Sequence, residues 1–200
     1  EAAKQLACAT GRGPKLMTIR NLIFAVQPKS VAVIGASNRK GSVGDIVIRN
    51  ILDAGFEGQV FAVNPKYHQV AGLTCYSRIN DLPTAPDLAI IVTPASTVPA
   101  IISALAEKGT RAAVVITAGL TRDNGLRQAM LNAAKPNLFR IIGPNTLGLM
   151  IPRLKLNASF AHMAAVPGGL ALLSQSGAIA TSLVDWAADN DIGFSHIVSL

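Results

Sequence analysis

The stretch "VAVIGASNRKGSVG", residues Val31 to Gly44, decides the fold class. Its first half is a short apolar run of the kind found in strands buried on both faces, and a glycine-bearing turn and a helical pattern follow. Ser42 and Asp45 have the spacing of a capping box at a helix start. The N–H groups that a helix start leaves unpaired favour an anion, so the turn is a candidate phosphate site. A plain strand-to-helix turn with solvated basic side chains is the alternative.

The rest of the chain repeats this alternation. Apolar bursts separated by helical patterns predict an α/β fold, a Rossmann-like doubly wound parallel sheet. The predicted strands are 31–35, 59–63, 71–76, 88–93, 112–117 and 139–142, and the predicted helices are 43–54, 95–108 and 123–134. A turn-rich link, "GPNTLGLMIP", then leads to a second unit with strand 170–174, helix 177–189 and strand 194–199.

This pattern predicts three segments. Residues 1–19 form a lead segment that need not be ordered, residues 20–145 form the Rossmann-like domain, and residues 146–200 begin a second α/β domain. Met17 is a candidate start of translation. Because Leu200 stands inside an apolar run, we expect the chain to be part of a longer protein.

Composition excludes several classes of protein. Half of the residues are apolar and the mean hydropathy is +0.40, but no apolar run approaches the roughly 18 residues that a membrane-spanning helix needs. The net charge is +7, yet five of the 18 basic and one of the 11 acidic residues lie within residues 1–30. Aromatic residues make up only 4%, which argues against nucleic-acid binding. Cys8 and Cys75 fit no metal or redox spacing, and a reducing cytoplasm is the expected location.

The first turn matches neither common phosphate fingerprint. Ala36 and Ser37 follow Gly35, so the G-x-G-x-x-G order of dinucleotide sites is absent, and Lys40 precedes Gly41, which is the wrong order for a P-loop.

The end of the second predicted strand points to a different nucleotide. NAD enzymes usually place an acid there, whereas this chain has Asn64 and then Lys66. A lysine attracts a phosphorylated ribose, which coenzyme A (CoA) and NADP both have, but an ordinary turn lysine is the alternative. Three further turns follow strands at the same sheet edge, "VTPAS" (92–96), "ITAGL" (116–120) and "IIGPN" (141–145), and their small residues let a ligand approach the backbone.

Taken in order, "PKSVAVIGAS…GSVG", "NPK", "VTPAS", "ITAGL", "GPNTLGL" and "SQSGA" resemble the CoA-binding half of nucleoside-diphosphate-forming acyl-CoA synthetases. This group includes the succinyl-CoA synthetase alpha subunit and the ADP-forming acetate–CoA ligases. The resemblance covers about residues 20–200 and implies that residues 146–200 begin a flavodoxin-like ligase domain.

The resemblance also implies a set of cofactor-binding residues. The phosphates of CoA would be lined by Ser37, Gly41, Ser42 and Val43 after the strand that ends at Gly35, and Lys66 would pair with one of them. Thr93 and Pro94 would line the pocket, Ile116, Thr117 and Ala118 would meet the pantetheine arm, and Asn145 would stand near the thiol. The succinate enzymes have Glu and Cys where this chain has Ala118 and Thr146, which favours the acetate branch.

"LALLSQSGAIATSLVDWA" predicts another strand, tight turn and helix. Ser174, Ser176 and Gly177 crowd the helix start, which suits an anion or, alternatively, a simple serine N-cap. A serine-hydrolase elbow would need Gly at position 174. In the family that the chain resembles, this helix faces a phosphorylated histidine. His68, His162 and His196 lie outside the glycine-rich setting of that carrier, so we expect no catalytic residue in this segment.

Three functions remain open. The first is the CoA-binding part of an acetate–CoA ligase that acts through acyl phosphate and phosphohistidine. It would bind CoA or acetyl-CoA here, and ATP or ADP with Mg²⁺ would require a downstream ATP-grasp domain or subunit. The second is a regulatory acetyl-CoA-binding region of a bacterial protein-lysine acetyltransferase, with a C-terminal acetyltransferase domain. The third is a stand-alone CoA- or NADP-binding module.

Overall fold

The computed structural model describes residues 19–200, so the predicted lead segment lies outside the described residues except for Ile19. The helices are α1 Ile23–Val26, α2 Val43–Asp53, α3 Val98–Lys108, α4 Leu126–Ala134 and α5 Gly177–Asp189. The strands are β1 Ser30–Ile34, β2 Gln59–Val63, β3 Gln69–Val70, β4 Leu73–Tyr76, β5 Leu88–Ile91, β6 Ala112–Val115, β7 Arg140–Ile142, β8 Gly148–Ile151, β9 Leu156–Ser159, β10 Pro167–Ser174 and β11 Phe194–Ser199. Short 3₁₀ turns are Ile79–Asp81, Ala95–Thr97, Lys135–Asn137 and Pro152–Leu154.

The first sheet has seven strands in the order β3-β4-β2-β1-β5-β6-β7. All neighbours pair in parallel except β3 and β4. The chain runs outward from β1 to β4 and then returns to the other side of β1 for β5, which confirms the predicted doubly wound Rossmann-like sheet. Such sheets bind ligands at the carboxyl ends of the strands where the order reverses, here between β1 and β5.

Strand β1 explains why the run "VAVI" is apolar without alternation. Val31 and Val33 belong to the core layer that also contains residues of α2, whereas Ala32 and Ile34 belong to the layer that contains residues of α3 and α4. Successive side chains point to opposite faces of a strand, so a strand covered on both sides needs apolar residues at every position.

The interpretation of "GPNTLGLMIP" as a turn-rich link missed a strand. Residues 148–159 form the β8–β9 hairpin of a second sheet, whose order is β10-β11-β8-β9, with β10 and β11 parallel and the hairpin antiparallel. The hairpin lies between two cores, because Leu149 and Ile151 belong to the core of β1 and α2, whereas Met150 belongs to the core of α5 and β11. The strand was missed because Pro144 and Pro152 on either side of it resemble loop punctuation.

The predicted helices form, and two of them begin three residues later than predicted. Ala95–Thr97 is a 3₁₀ turn before α3, and the side chain of Asn124 binds neighbouring backbone before α4. No helix within residues 19–200 has both the length and the apolar character needed to span a membrane. The domain division at residues 145 and 146 stays a prediction.

Candidate functional site

A cleft of about 890 Å³ opens where the turns after β1, β2 and β5 meet, at the carboxyl edge of the first sheet. This position is the switch point at which doubly wound sheets bind ligands. We call it the first cleft. It is lined by seven of the predicted cofactor-binding residues: Gly35, Ser37, Ser42, Val43, Lys66, Thr93 and Pro94.

The loop before α2 is closed by its own capping residues. Ser42 is the N-cap, and its Oγ accepts the N–H of Asp45 at 3.3 Å, as the predicted capping box requires. The Asp45 carboxylate accepts the N–H of Gly41 at 3.0 Å and the Nε–H of Arg49 at 2.6 Å. The N–H of Gly41 is therefore already bonded, and Gly41 does not line the cleft.

Asp45 is ionised in this setting. Burial raises the pKa of its carboxyl, but the hydrogen bonds from Arg49 and Gly41 and the positive charges of Arg49 and Lys40 outweigh burial, so the pKa lies below its usual value. A carboxylate in the first turn of α2 also interacts favourably with the helix dipole.

Two amide groups at the start of α2 remain available. Among residues 19–200, the N–H groups of Val43 and Gly44 form no hydrogen bond. A Cβ at Gly44 would stand 2.2 Å from the carbonyl oxygen of Gly35, so only glycine lets the helix start approach the end of β1 this closely. The local packing thus brings two free N–H groups to the sheet edge, where an anion can accept from them.

The charges that line the first cleft all have one sign. Arg39, Lys66 and Arg78 are its ionic residues, and no Asp or Glu is among the lining residues. Within the described part of the chain, none of these three side chains forms an ion pair. A cleft with clustered, unneutralised cations attracts polyanions such as phosphorylated nucleotides.

Several residues of the first cleft were not predicted to bind the cofactor. Asn64 fixes the turn, because its Nδ2 donates to the carbonyl of Ala36 at 2.8 Å and its Oδ1 accepts the N–H of Lys66 at 2.9 Å. Arg78 follows β4, which is parallel to β2. Ligands bind at the carboxyl ends of parallel strands, so the position of Arg78 after β4 could have marked it as a candidate. The other lining residues not predicted include Tyr67, whose hydroxyl lies 3.4 Å from Ser37 Oγ, and the apolar Val63, Ile79, Ile101 and Ala104.

A second cleft, of about 400 Å³, lies beyond the ends of β6 and β7, next to the start of α5. It brings together the predicted residues Ile116, Asn145 and Gly177, with the unpredicted Thr146, Leu147, Phe160, Gln175, Ala178 and Thr181. Thr117 joins the two clefts: its Oγ1 donates to the carbonyl of Thr93 at 2.8 Å, and its carbonyl accepts the N–H of Asn145 at 3.1 Å. Ala118 lines neither cleft and is exposed.

The start of α5 is capped as the simple alternative predicted. Ser176 Oγ accepts the N–H of Ile179 at 3.3 Å, and Ser174 Oγ accepts the N–H of Ser176 at 3.1 Å. Neither serine lines a cleft, but Gly177 and Ala178 do, and their N–H groups have no acceptor among residues 19–200. The phosphate-facing role of this helix stays a prediction. None of the three histidines lines either cleft.

The fold and the switch-point cleft define a Rossmann-like α/β protein whose ligand cleft has cations and no carboxylates in its lining. Residues 29–152 match the family described as CoA binding domain, and residues 167–200 match the succinyl-CoA ligase like flavodoxin domain. This chain therefore belongs to the CoA-binding domain family.

Similar proteins refine that assignment. The chain is 41% identical over 181 residues to the ADP-forming acetate–CoA ligase of Methanocaldococcus jannaschii, with 90% of this chain and 25% of the relative covered. It is 35% identical over 181 residues to the alpha subunit of the ADP-forming acetate–CoA ligase I of Pyrococcus furiosus, with 86% of this chain and 39% of that subunit covered. The solved acetyl-coenzyme A synthetase 1 of Ca. Korarchaeum cryptofilum, in complex with phosphate and ADP, superposes with a TM-score of 0.83 at 34% identity and covers 89% of this chain and 39% of its own.

The resemblance to the nucleoside-diphosphate-forming acyl-CoA synthetases is thereby confirmed. All three similar proteins are ligases or synthetases, which favours the ligase interpretation over an acetyltransferase region or a stand-alone module. The chain spans about a quarter to two fifths of the length of these proteins, between 25% and 39%.

Proposed function

We propose that this chain is the CoA-binding N-terminal part of an ADP-forming acetate–CoA ligase. The proposal rests on the first cleft. Its lining contains Arg39, Lys66 and Arg78 and the two free N–H groups at the start of α2, and it contains no carboxylate. NAD sites place an acid after the second strand, where this chain has Asn64 and Lys66. CoA carries a ribose phosphate and a diphosphate, so its negative charge suits a positively charged cleft.

In the proposed complex, Lys66 pairs with the ribose phosphate, and the N–H groups of Val43 and Gly44 receive the diphosphate. The apolar side of the cleft, at Ile79 and Ile101, receives the adenine ring.

The pantetheine arm runs along the sheet edge from the first cleft to the second. Neighbouring strands are about 4.8 Å apart, so the three spacings from β1 to β7 amount to roughly 14 Å. An extended arm of twelve bonds reaches roughly 14 Å, by comparison with extended peptide backbone. The arm would pass Thr93, Pro94 and Thr117 and would place the thiol beside Asn145 in the second cleft.

The reaction in the direction of ATP formation has three steps. Inorganic phosphate attacks the thioester carbonyl, the C–S bond breaks, and CoA leaves as a thiolate that takes up a proton, which yields an acyl phosphate. A histidine imidazole then takes the phosphoryl group and releases the carboxylate, and the phosphoryl group finally passes from histidine to ADP. A covalent carrier divides one difficult transfer into two easier ones.

This chain supplies only part of that sequence. Its first cleft binds and orients CoA, and the free N–H groups of Gly177 and Ala178 face the phosphate that is transferred. The phosphorylated histidine and the binding of ADP and Mg²⁺ are assigned to further parts of the protein, including an ATP-grasp domain or subunit. The cytoplasm, which supplies CoA and ADP, is the proposed location.

Titration calorimetry tests the binding proposal. The chain is expected to bind CoA at least tenfold more tightly than dephospho-CoA, which lacks the ribose phosphate, and to bind NADP weakly and NAD not measurably. Binding of NAD without binding of CoA would contradict the proposal.

A further inference from the structure

Three adjacent parallel strands are each followed by one cation that lines the first cleft. Arg78 follows β4, Lys66 follows β2, and Arg39 lies in the loop after β1. In the sheet order, β1 stands between β2 and β5, so Arg39 belongs to the strand nearest the β5–β7 side. The three cations therefore follow strands at different distances from the second cleft, and they need not serve the same phosphate.

Arg39 is the cation of the loop that leads into α2. Its carbonyl accepts the N–H of Ser42, the N-cap of that helix, at 3.0 Å. Its side chain lines the same cleft as Val43 and Gly44, whose N–H groups are free. Within the described part of the chain, its guanidinium forms no ion pair. A guanidinium donates to two phosphate oxygens at once, so this side chain can add to the two free amides at one anion.

The side chain of Asn38 joins the tip of this loop to the β3–β4 hairpin. Its Nδ2 donates to the carbonyl of Gln69 at 2.7 Å, and its Oδ1 accepts the N–H of Ala71 at 3.3 Å. Residues 38–41 are all exposed, so packing contributes little to holding the tip in place. The two hydrogen bonds of Asn38 therefore fix the backbone from which the side chain of Arg39 extends.

We propose that Arg39 binds the diphosphate of CoA and that Asn38 is the positioning residue that holds Arg39 there. The inference rests on the proposed function, because it requires CoA to lie in the first cleft with Lys66 on its ribose phosphate. The pantetheine arm extends from the diphosphate and is proposed to run from β1 toward β7. The diphosphate then lies at the end of β1, the strand that Arg39 follows, whereas Lys66 and Arg78 follow strands farther from β7.

The affinities of the 200-residue chain for CoA and dephospho-CoA, measured by titration calorimetry at one salt concentration, test the role of Arg39. Both ligands contain the diphosphate, and only CoA has the ribose phosphate. Arg39→Gln is expected to weaken both ligands by the same factor, about tenfold, as for the loss of a charge-assisted hydrogen bond. Arg39→Lys keeps the charge but not the planar fork, so it should lose less. A substitution of Lys66, in contrast, should affect mainly CoA.

Lys40→Gln is the matched control for Arg39→Gln. Lys40 is the next residue of the same loop, carries the same charge and is exposed, but it does not line the first cleft. Its loss should change either affinity by less than about twofold, because salt screens the interaction between an exposed charge and a ligand that it does not contact. An equal loss in the two variants would refute a direct contact of Arg39, since only the net charge of the loop would then matter.

Asn38→Ala tests the positioning role. It should weaken both ligands by about fourfold in the wild-type chain and cause no further loss in the Arg39→Gln variant, because it acts through that side chain. Gln69→Ala is the control. It removes the hydrogen bond from Gln69 Nε2 to the carbonyl of Gly72 at 3.2 Å but keeps the carbonyl that Asn38 uses, so both affinities should stay unchanged.

Each other outcome contradicts a definite part of the account. If Asn38→Ala weakens binding equally with and without Arg39, its role as a positioning residue is refuted. If Arg39→Gln weakens CoA alone, or weakens neither ligand, the assignment of Arg39 to the diphosphate is refuted while CoA binding stands. If the wild-type chain binds no CoA at all, the proposed function itself fails.

Discussion

Lys66 lies in the turn after β2, where its N–H donates to the side chain of Asn64 at 2.9 Å, and its ammonium group has no ionic partner among residues 19–200. Turn geometry and charge thus place an unneutralised cation where dinucleotide enzymes have an acid. In the proposed complex, this residue is the partner of the ribose phosphate.

Lys66→Glu is expected to weaken CoA binding by about tenfold or more, because the substitution replaces a charge-assisted hydrogen bond worth about 1.5–3 kcal/mol with repulsion. Dephospho-CoA should lose less than about threefold, since it lacks the partner phosphate. Calorimetry at one fixed salt concentration measures both values. Lys135→Glu, an exposed position outside the clefts, is the matched control for the charge change. Equal losses for the two ligands would count against the assignment of Lys66.

Asp45 offers a prediction on stability and pH. Its pKa is lowered in the folded state, so its contribution to stability is present above the carboxyl's unfolded pKa of 3.8 and is lost as the pH falls through the folded value. Asp45→Asn should therefore reduce the free energy of unfolding at pH 7 by about 1 kcal/mol, as for a well-placed carboxylate in the first turn of a helix, and should flatten the decline of that free energy below pH 4.

Urea unfolding between pH 3 and pH 7 measures that difference. Glu57→Gln is the control, because Glu57 also accepts from a cation, Lys155 at 2.8 Å, but is exposed. Ion pairs in solvent contribute little, so this variant should unfold nearly as the wild type does. A larger loss for Glu57→Gln than for Asp45→Asn would show that the capped loop is not what stabilises α2.

At the scale of the element, the start of α2 depends on close packing against β1. Gly44→Ala would place a Cβ 2.2 Å from the carbonyl oxygen of Gly35, which must move the helix or the strand. We expect a loss of about 2 kcal/mol in the free energy of unfolding and a weaker affinity for CoA, because the two free amides shift with the helix.

The equivalent change in α5 should be harmless to stability. A Cβ at Gly177 would contact only the Cβ of Leu147, at 3.4 Å, which is an ordinary distance. The free energy of unfolding of Gly177→Ala should therefore lie within about 0.5 kcal/mol of the wild-type value or slightly above it. Denaturant unfolding of both variants makes the comparison. If the two alanines cost the same, close approach at Gly44 is not the reason for glycine there.

Strands β1, β5 and β6 were predictable because, Ser30 apart, every one of their residues is buried, so each strand appears as an unbroken apolar burst. The β8–β9 hairpin was not predictable in this way, since each of its strands has only four residues and prolines flank the first. The residues of the first cleft differ in the same way. Lys66 and Thr93 follow strongly apolar strands and were predicted, whereas Arg78 follows a short edge-side strand and was not.

At the scale of the whole molecule, the hairpin couples the two sheets. Leu149 and Ile151 complete the core of the first sheet, and Met150 packs in the core of the second. We therefore expect residues 19–200 to unfold in one cooperative step despite the predicted division at residue 145.

Trp186, the single tryptophan, lies on α5 and reports on the second sheet, whereas far-UV circular dichroism reports on the whole chain. The two urea transitions should coincide. CoA at a hundredfold excess over Kd should raise the free energy of unfolding by about 2.7 kcal/mol and shift both transitions to the same higher urea concentration. Separate transitions, with only one of them shifted by CoA, would show that the two sheets fold independently.

The most direct test of CoA binding in the first cleft is a crystal structure of this chain with CoA. We predict that the ribose phosphate lies against Lys66, the diphosphate against the N–H groups of Val43 and Gly44, and the thiol beside Asn145. CoA bound elsewhere on the chain, or CoA in this cleft with its ribose phosphate turned away from Lys66 into solvent, would contradict the assignment.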